Sequence, residues 1–221
     1  MSLRKSRVDR QPAGRADLED SILKAAEAEF AEKGFEGSTT SAIAARAGLP
    51  KANLHYYVAT KEALYRRVVE GVLAAWLDAA RSFDESASAE AALKRYIEGK
   101  MDLARERPLG SRIFAREVMR GAPVIQDFLD TTLTGWVRQR GAAVERWIAD
   151  GQIRPLDPKI LFFMIWATTQ HYADFAHQIA ALNGGEGLDD AAFAAAKRQV
   201  VETLLRGVVV TPTGDRSSDP T

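Results

Sequence analysis

Apolar residues recur along most of the chain at spacings of three and four, the period of an α-helix with one buried face. Leu18, Ile22, Ala25, Ala26 and Phe30 form the first such stripe and predict a helix from about Ala16 to Lys33, ended by Gly34. Leu64, Tyr65, Val68, Val72, Trp76 and Leu77 form another, predicting a long helix from Lys61 to about Ala80 with Thr60 as its cap. Beyond a polar loop over Ser82–Ser88, the pattern predicts helices over Ala89–Arg107, Leu109–Arg120 and Val124–Ala149, the last with a break near Gly135. Turn signals at Asp150-Gly151 and Pro155–Pro158 precede a helix over Lys159–Leu182. A Gly-rich link, Asn183–Gly187, then leads to a last helix from Asp189 or Asp190 to about Val209. No stretch alternates with the period of a strand, so the expected fold class is all-α.

The segment between the first two stripes has a different character. Ser38 and Thr39 can cap a new helix by satisfying its orphan backbone N–H groups. Ile43, Ala44 and Ala47 then share an apolar face, and Gly48 closes the helix by accepting a left-handed conformation. Pro50 opens another helix, about Lys51 to Tyr57, where a missing N–H costs nothing. That helix is too short to be stable alone. It turns Leu54 and Tyr57 inward and leaves Lys51, Asn53, His55 and Tyr56 outside. Two short helices joined by a Gly-containing turn, the second with a hydrogen-bonding outer face, describe a helix-turn-helix reader of DNA.

Charge supports that reading locally rather than globally. The 30 basic and 30 acidic residues cancel, which argues against a uniformly basic, nonspecific nucleic-acid binder. Between Gly37 and Arg67, however, Arg46, Lys51, Lys61, Arg66 and Arg67 face the single acid Glu62. An N-terminal arm with Arg4, Lys5, Arg7 and Arg10 precedes them. A basic island on a neutral protein suits phosphate docking. The absence of cysteine excludes disulfides, thiolate nucleophiles and Cys-type zinc sites. The N-terminus has no apolar signal-peptide core, and the longest apolar run, Ile160–Ala167, is too short to span a bilayer. A cytoplasmic protein without a membrane partner, cofactor or metal is therefore expected.

At this point a resemblance becomes specific. The residues Ile22-Leu23, Ala25-Ala26, Phe30 and Gly34-Phe35, then Ile43-Ala44 and Ala47-Gly48-Leu49, resemble the TetR family of transcriptional regulators. Lys51, Leu54, Tyr56-Tyr57, Lys61-Glu62 and Leu64 continue the match, which covers about residues 15–65. Two departures are Val58, where Phe is usual, and Pro50, where Ser is common. The resemblance implies an all-helical homodimer with a helix-turn-helix domain and a larger helical domain that binds a small effector. Its expected organisation is an arm over 1–14, a DNA-binding domain over 15–62, an effector-binding and dimerisation domain over 63–209, and a disordered tail over 210–221. Carried over by position, Tyr56, Lys61 and the N-terminus of the second helix, Thr39 and Thr40, would contact phosphates. Lys51, Asn53 and His55 would lie nearest the bases. The chemistry agrees, since Asn can pair with an adenine edge and Lys with guanine while phosphate contacts set register.

The C-terminal half carries a narrower resemblance. Leu156–Phe175, together with Trp76, Arg112 and the Gly121–Pro123 turn, is similar to the family's pyrimidine-utilisation regulators, which sense uracil or thymine. Ile160–Ala167 is apolar all round, so it must be covered on two sides. One side can pack within the domain and the other, with Phe193, Ala196, Val200, Leu204 and Gly207 of the last helix, against a second subunit. Trp166 and Gln170 are four apart and share a face. A carboxamide offers adjacent donor and acceptor to the imide edge of uracil, and an indole can stack on the flat ring. Trp76 would form the opposite wall, and Tyr172 and Asp174 complete the candidate effector set. An unrelated apolar or aromatic effector is the alternative. A helical enzyme using a metal or a pyrimidine finds little support: His171 and Asp174 have chelating spacing, but no third ligand is evident. Arg112, Arg116 and Arg120 lie four apart on one face, as solvated arginines often do.

Overall fold

The computed structural model describes residues 14–81, 83 and 88–210, and among these every regular element is helical. The arm before Gly14 and the tail after Val210 lie outside the described residues, as does most of the Ser82–Ser88 loop. Contacts divide the chain into two compact units, Met1–Val68 and Val69–Thr221, with the boundary inside the long helix α4, Lys61–Asp78.

In the first unit α1 spans Arg15–Gly37, but Gly34 at φ 71° leaves the helical region and ends the regular coil where the glycine predicted it. Ser38 acts on this helix rather than the next. Its buried hydroxyl donates to the carbonyls of Gly34 at 2.6 Å and Glu29 at 3.1 Å, tying the chain after the break back to α1. Thr39 caps α2, Thr40–Arg46, by accepting from the Ala42 N–H at 3.1 Å. Gly48 at φ 70° then reverses the chain, and the Leu49 N–H reaches back to the Ala44 carbonyl.

Helix α3 is a single turn, Lys51–Leu54, shorter than the predicted Lys51–Tyr57. The N–H groups of Tyr57 and Val58 both converge on the Leu54 carbonyl, so the chain leaves the helix and buries Val58. Ile22, Phe30, Ile43, Leu54 and Leu64 form the core of this unit, and Phe30 meets Tyr65 edge-on at 5.0 Å.

The second unit contains the rest of α4, then α5 (Ala89–Glu106), α6 (Pro108–Met119), α7 (Thr134–Ala149), α8 (Pro158–Asp174), α9 (Ala176–Leu182) and α10 (Asp190–Val208). A short turn of helix at Gln126–Phe128 and a π-helical stretch at Leu129–Leu133 run into α7, so the coil widens just before Gly135 instead of breaking there. Thr134 closes the wide turn by donating its hydroxyl to the Leu129 carbonyl at 2.9 Å. The single helix predicted over Lys159–Leu182 is two helices. The backbone turns at Phe175, whose ring stacks on His171 with centroids 5.0 Å apart.

An aromatic cluster fills the centre. Phe162 lies 5.2 Å from Trp136, 6.1 Å from Trp166 and 6.2 Å from Phe83, with Tyr96 and Trp147 completing the group. Leu161, Phe162 and Ile165 bury one side of α8 against this cluster. The other side is open in the single chain, with Ile160 50%, Phe163 53% and Met164 40% exposed. No helix among the described residues is long and apolar enough to cross a membrane.

Candidate functional site

Two sites follow from these elements, one in each unit. In the first, the turn of α3 sets Lys51, Asn53, His55 and Tyr56 outward, and Tyr56 is 84% exposed. Nothing in the unit's own core requires such a large ring in water, since Leu54 and Val58 anchor the same turn. Thr39 is exposed at the start of α2 with Thr40 half-buried beside it, where free N–H groups and the helix dipole favour an anion.

The basic island is more selective than its count of charges suggests. Arg46 donates to Glu29 at 3.1 Å and Glu32 at 2.6 Å, and this contact holds the Glu32 carboxyl below its ordinary range. Glu29 is buried and also pairs with Lys33 at 3.2 Å, so the cluster ties α2 to α1. Arg67 turns to Glu19 at 3.2 Å. Lys61 donates to the carbonyls of Phe35 at 2.9 Å and Ser38 at 3.3 Å and lies 4.3 Å above the Phe35 ring. Its ammonium thereby holds the α1–α2 junction, a structural duty that the chain pattern does not reveal. Lys51 stays exposed on the outer face of α3.

The second site is a small pocket within the second unit. It brings together Trp76 from α4 and Trp166 and Gln170 from α8, three residues far apart or a turn apart in the chain. Phe114 of α6 meets Trp76 edge-on at 5.0 Å, and the Trp166 indole N–H donates to the Tyr96 hydroxyl at 2.7 Å. With its indole nitrogen satisfied, Trp166 presents only its ring to the pocket.

The remaining effector candidates lie elsewhere. Tyr172 faces other clefts, one shared with Arg105 and Phe193 and one with α10. Asp174 accepts from the Ser111 hydroxyl at 2.6 Å, and burial raises its carboxyl above the ordinary range against the pull of Ser111, Lys100 and Arg112. Arg112 sits near that carboxylate and donates to the Pro108 carbonyl. Among the described residues no group of three or more His, Asp or Glu is placed to hold a metal.

Lys100 is the residue that periodicity missed. It occupies a core position of α5, lines the pocket, and places its ammonium 3.9 Å from the centre of the Trp76 ring. Burial pushes that ammonium down to about 7, with Asp174 opposing. The signal lay in the stripe Leu93, Tyr96, Ile97, Lys100, Met101 and Ala104, where a lysine interrupts an otherwise apolar helix face.

Comparison with known proteins agrees with this architecture. Residues 22–68 match the family described as bacterial regulatory proteins, tetR family, and residues 69–211 match the YcdC-like protein, C-terminal region. The HTH-type transcriptional regulator RutR of Escherichia coli is 39% identical over 187 residues, covering 85% of this chain and 88% of RutR. The biofilm operon regulator IcaR of Staphylococcus epidermidis is 34% identical over 61 residues, 28% of this chain and 33% of IcaR. Among solved structures, the ketosteroid regulator KstR2 of Mycobacterium tuberculosis superposes with a TM-score of 0.71 at 20% identity, over 93% of this chain and all of that one. A TetR family regulator from Marinobacter aquaeolei gives 0.66 at 22% identity, over 88% and 96% of the two chains.

Lys100 also shapes the dependence of stability on pH. In the unfolded chain its amine keeps a proton up to the ordinary lysine value of 10.5, whereas in the fold it releases one near 7. Between those values the unfolded state binds more protons, so the cost of burying Lys100 is full below about 7 and fades as pH rises. Urea denaturation of the wild type and Lys100→Met should show the wild type gaining stability relative to the variant from about pH 7 to about pH 10. A constant difference would mean that Lys100 titrates normally.

Proposed function

The chain belongs to the TetR family of bacterial transcriptional regulators, and from that premise we propose a homodimeric repressor whose effector is a pyrimidine imide, uracil or thymine. The observation that carries the effector assignment is the meeting of Trp76, Trp166 and Gln170 in one small pocket. Two indole faces suit a flat ring, and a carboxamide matches the donor–acceptor edge of an imide. The likeness of Leu156–Phe175 to the pyrimidine-utilisation regulators points the same way.

For DNA, the outward set of Lys51 and Asn53 on α3 and His55 and Tyr56 just after it supports reading in the major groove. Two such turns, one per subunit, would sit one helical repeat apart, about 34–36 Å. The uncovered side of α8 supports a partner of the same kind, because Ile160, Phe163 and Met164 make an apolar patch on a helix that also packs on α10. Helix α4 begins at Lys61 beside the reader and carries Trp76 in the pocket, so it is the natural element to report occupancy. An effector shifts the equilibrium only by its difference in affinity for the two forms.

The central test is calorimetric titration with uracil and thymine, with cytosine and a purine as controls. Selective binding of the imides is expected, and Gln170→Leu should abolish the effector response while leaving operator binding intact. An unchanged response would remove Gln170 from the site. Tyr56→Phe should weaken binding to operator and to unrelated duplex alike, as loss of a phosphate contact does; a loss confined to the operator would contradict that role. Phe163→Glu should convert the dimer to monomer in light scattering, and a persistent dimer would place the interface elsewhere.

A further inference from the structure

Lys100 is 2% exposed, yet among the described residues no oxygen receives any of its N–H groups. Its attractions are to the face of Trp76 at 3.9 Å and, at longer range, to Asp174, whose close contact is already made with Ser111. An ammonium with three donors unmet at a site this buried is expensive to keep. An apolar side chain such as Met would fill the same space on this helix face at lower cost. The donors are not shut away, however. Lys100 lines the pocket beside Trp166 and Gln170, so they stand idle where a ligand would arrive.

We propose that Lys100 is the oxygen-recognising residue of the effector pocket, donating to a ring carbonyl that Gln170 does not reach and thereby setting the preference for dicarbonyl rings over amino-substituted ones. The assignment rests on the pyrimidine reading of the pocket and adds the origin of its selectivity. A uracil ring offers the imide edge to Gln170 and has a further carbonyl oxygen for Lys100. Cytosine replaces one of its oxygens with an amino group, itself a donor, which cannot satisfy an ammonium. Trp76 faces Lys100 from α4, Asp174 from α8, and Tyr96 from one turn earlier on α5, with Arg112 and His171 beyond Asp174. None of these supplies the missing acceptor. Burial weakens the hold of Lys100 on its proton, and a ligand oxygen restores it, so binding should draw in a proton at neutral and mildly alkaline pH.

Calorimetry of the whole protein at about pH 8, with uracil in buffers of different ionisation enthalpy, counts that proton without any substitution. Uptake of up to about one proton per uracil is expected. Lys100→Met should bind uracil about ten- to a hundredfold more weakly, show no uptake, and narrow the gap between uracil and cytosine. Thermal unfolding of the variant confirms that the fold is retained. The assignment is overturned if the wild type binds uracil without proton uptake, or if Lys100→Met binds as tightly as the wild type while Gln170→Leu does not. That pattern leaves the pyrimidine pocket standing without Lys100. If the wild type binds neither uracil nor thymine, the effector reading fails and the assignment fails with it.

Discussion

Helix α8 has no face suited to water over Ile160–Ala167, and both its neighbours and its exposed side follow from that constraint. Leu161, Phe162 and Ile165 are taken by the aromatic cluster of the same unit, which brings Trp136, Tyr96 and Phe83 around one buried ring. Burying a Phe of this kind is worth about 1.5–3 kcal/mol. The opposite residues, Phe163 and Met164, cannot join it because they point the other way round the coil. A side that remains apolar after the unit has folded supports the assembly surface proposed for it.

The same helix changes character toward its end. Past Ala167 it carries Thr168, Thr169, Gln170 and His171, and the polar groups there differ in what they meet. Thr169 returns its hydroxyl to the Ile165 carbonyl, and Asp174 is engaged by Ser111. Trp166 is fixed by Tyr96, which leaves its ring as a wall. Gln170 has its carboxamide at the pocket, and Lys100 its ammonium. Thr169, Asp174 and the Trp166 indole have their partners within the fold, whereas Gln170 and Lys100 line the pocket.

The DNA-reading unit shows a parallel economy of charge. Most of its conspicuous cations serve the fold: Arg46 joins α2 to α1 through Glu29 and Glu32, Arg67 meets Glu19, and Lys61 holds the carbonyls at the end of α1. Exposed pairs contribute little each, but Glu29 is buried, and losing Arg46 would leave its charge poorly compensated. With these pairings made, Lys51 and Asn53 on the outer face of α3 and His55 and Tyr56 just after it remain exposed.

Helical class, the capped turn from Thr39 to Leu54 and the inward and outward faces of α3 were legible in the sequence, because periodicity, caps and Gly conformations act over a few residues. The pairing of Trp166 with Gln170 was legible for the same reason, as both lie on one helix face. The break at Phe175, the wide turn before Gly135 and the early end of α3 were not, since each depends on which side chain finds a neighbour in the folded core. Tyr172 and Asp174 lie near Gln170 in the chain but face other surroundings, because a helix turns successive residues to different sides. Lys61 and Lys100 mark the limit most clearly. A lysine's charge is written in the sequence, but whether it meets water, a carbonyl or a ring depends on residues tens of positions away, and only tertiary packing brings those together.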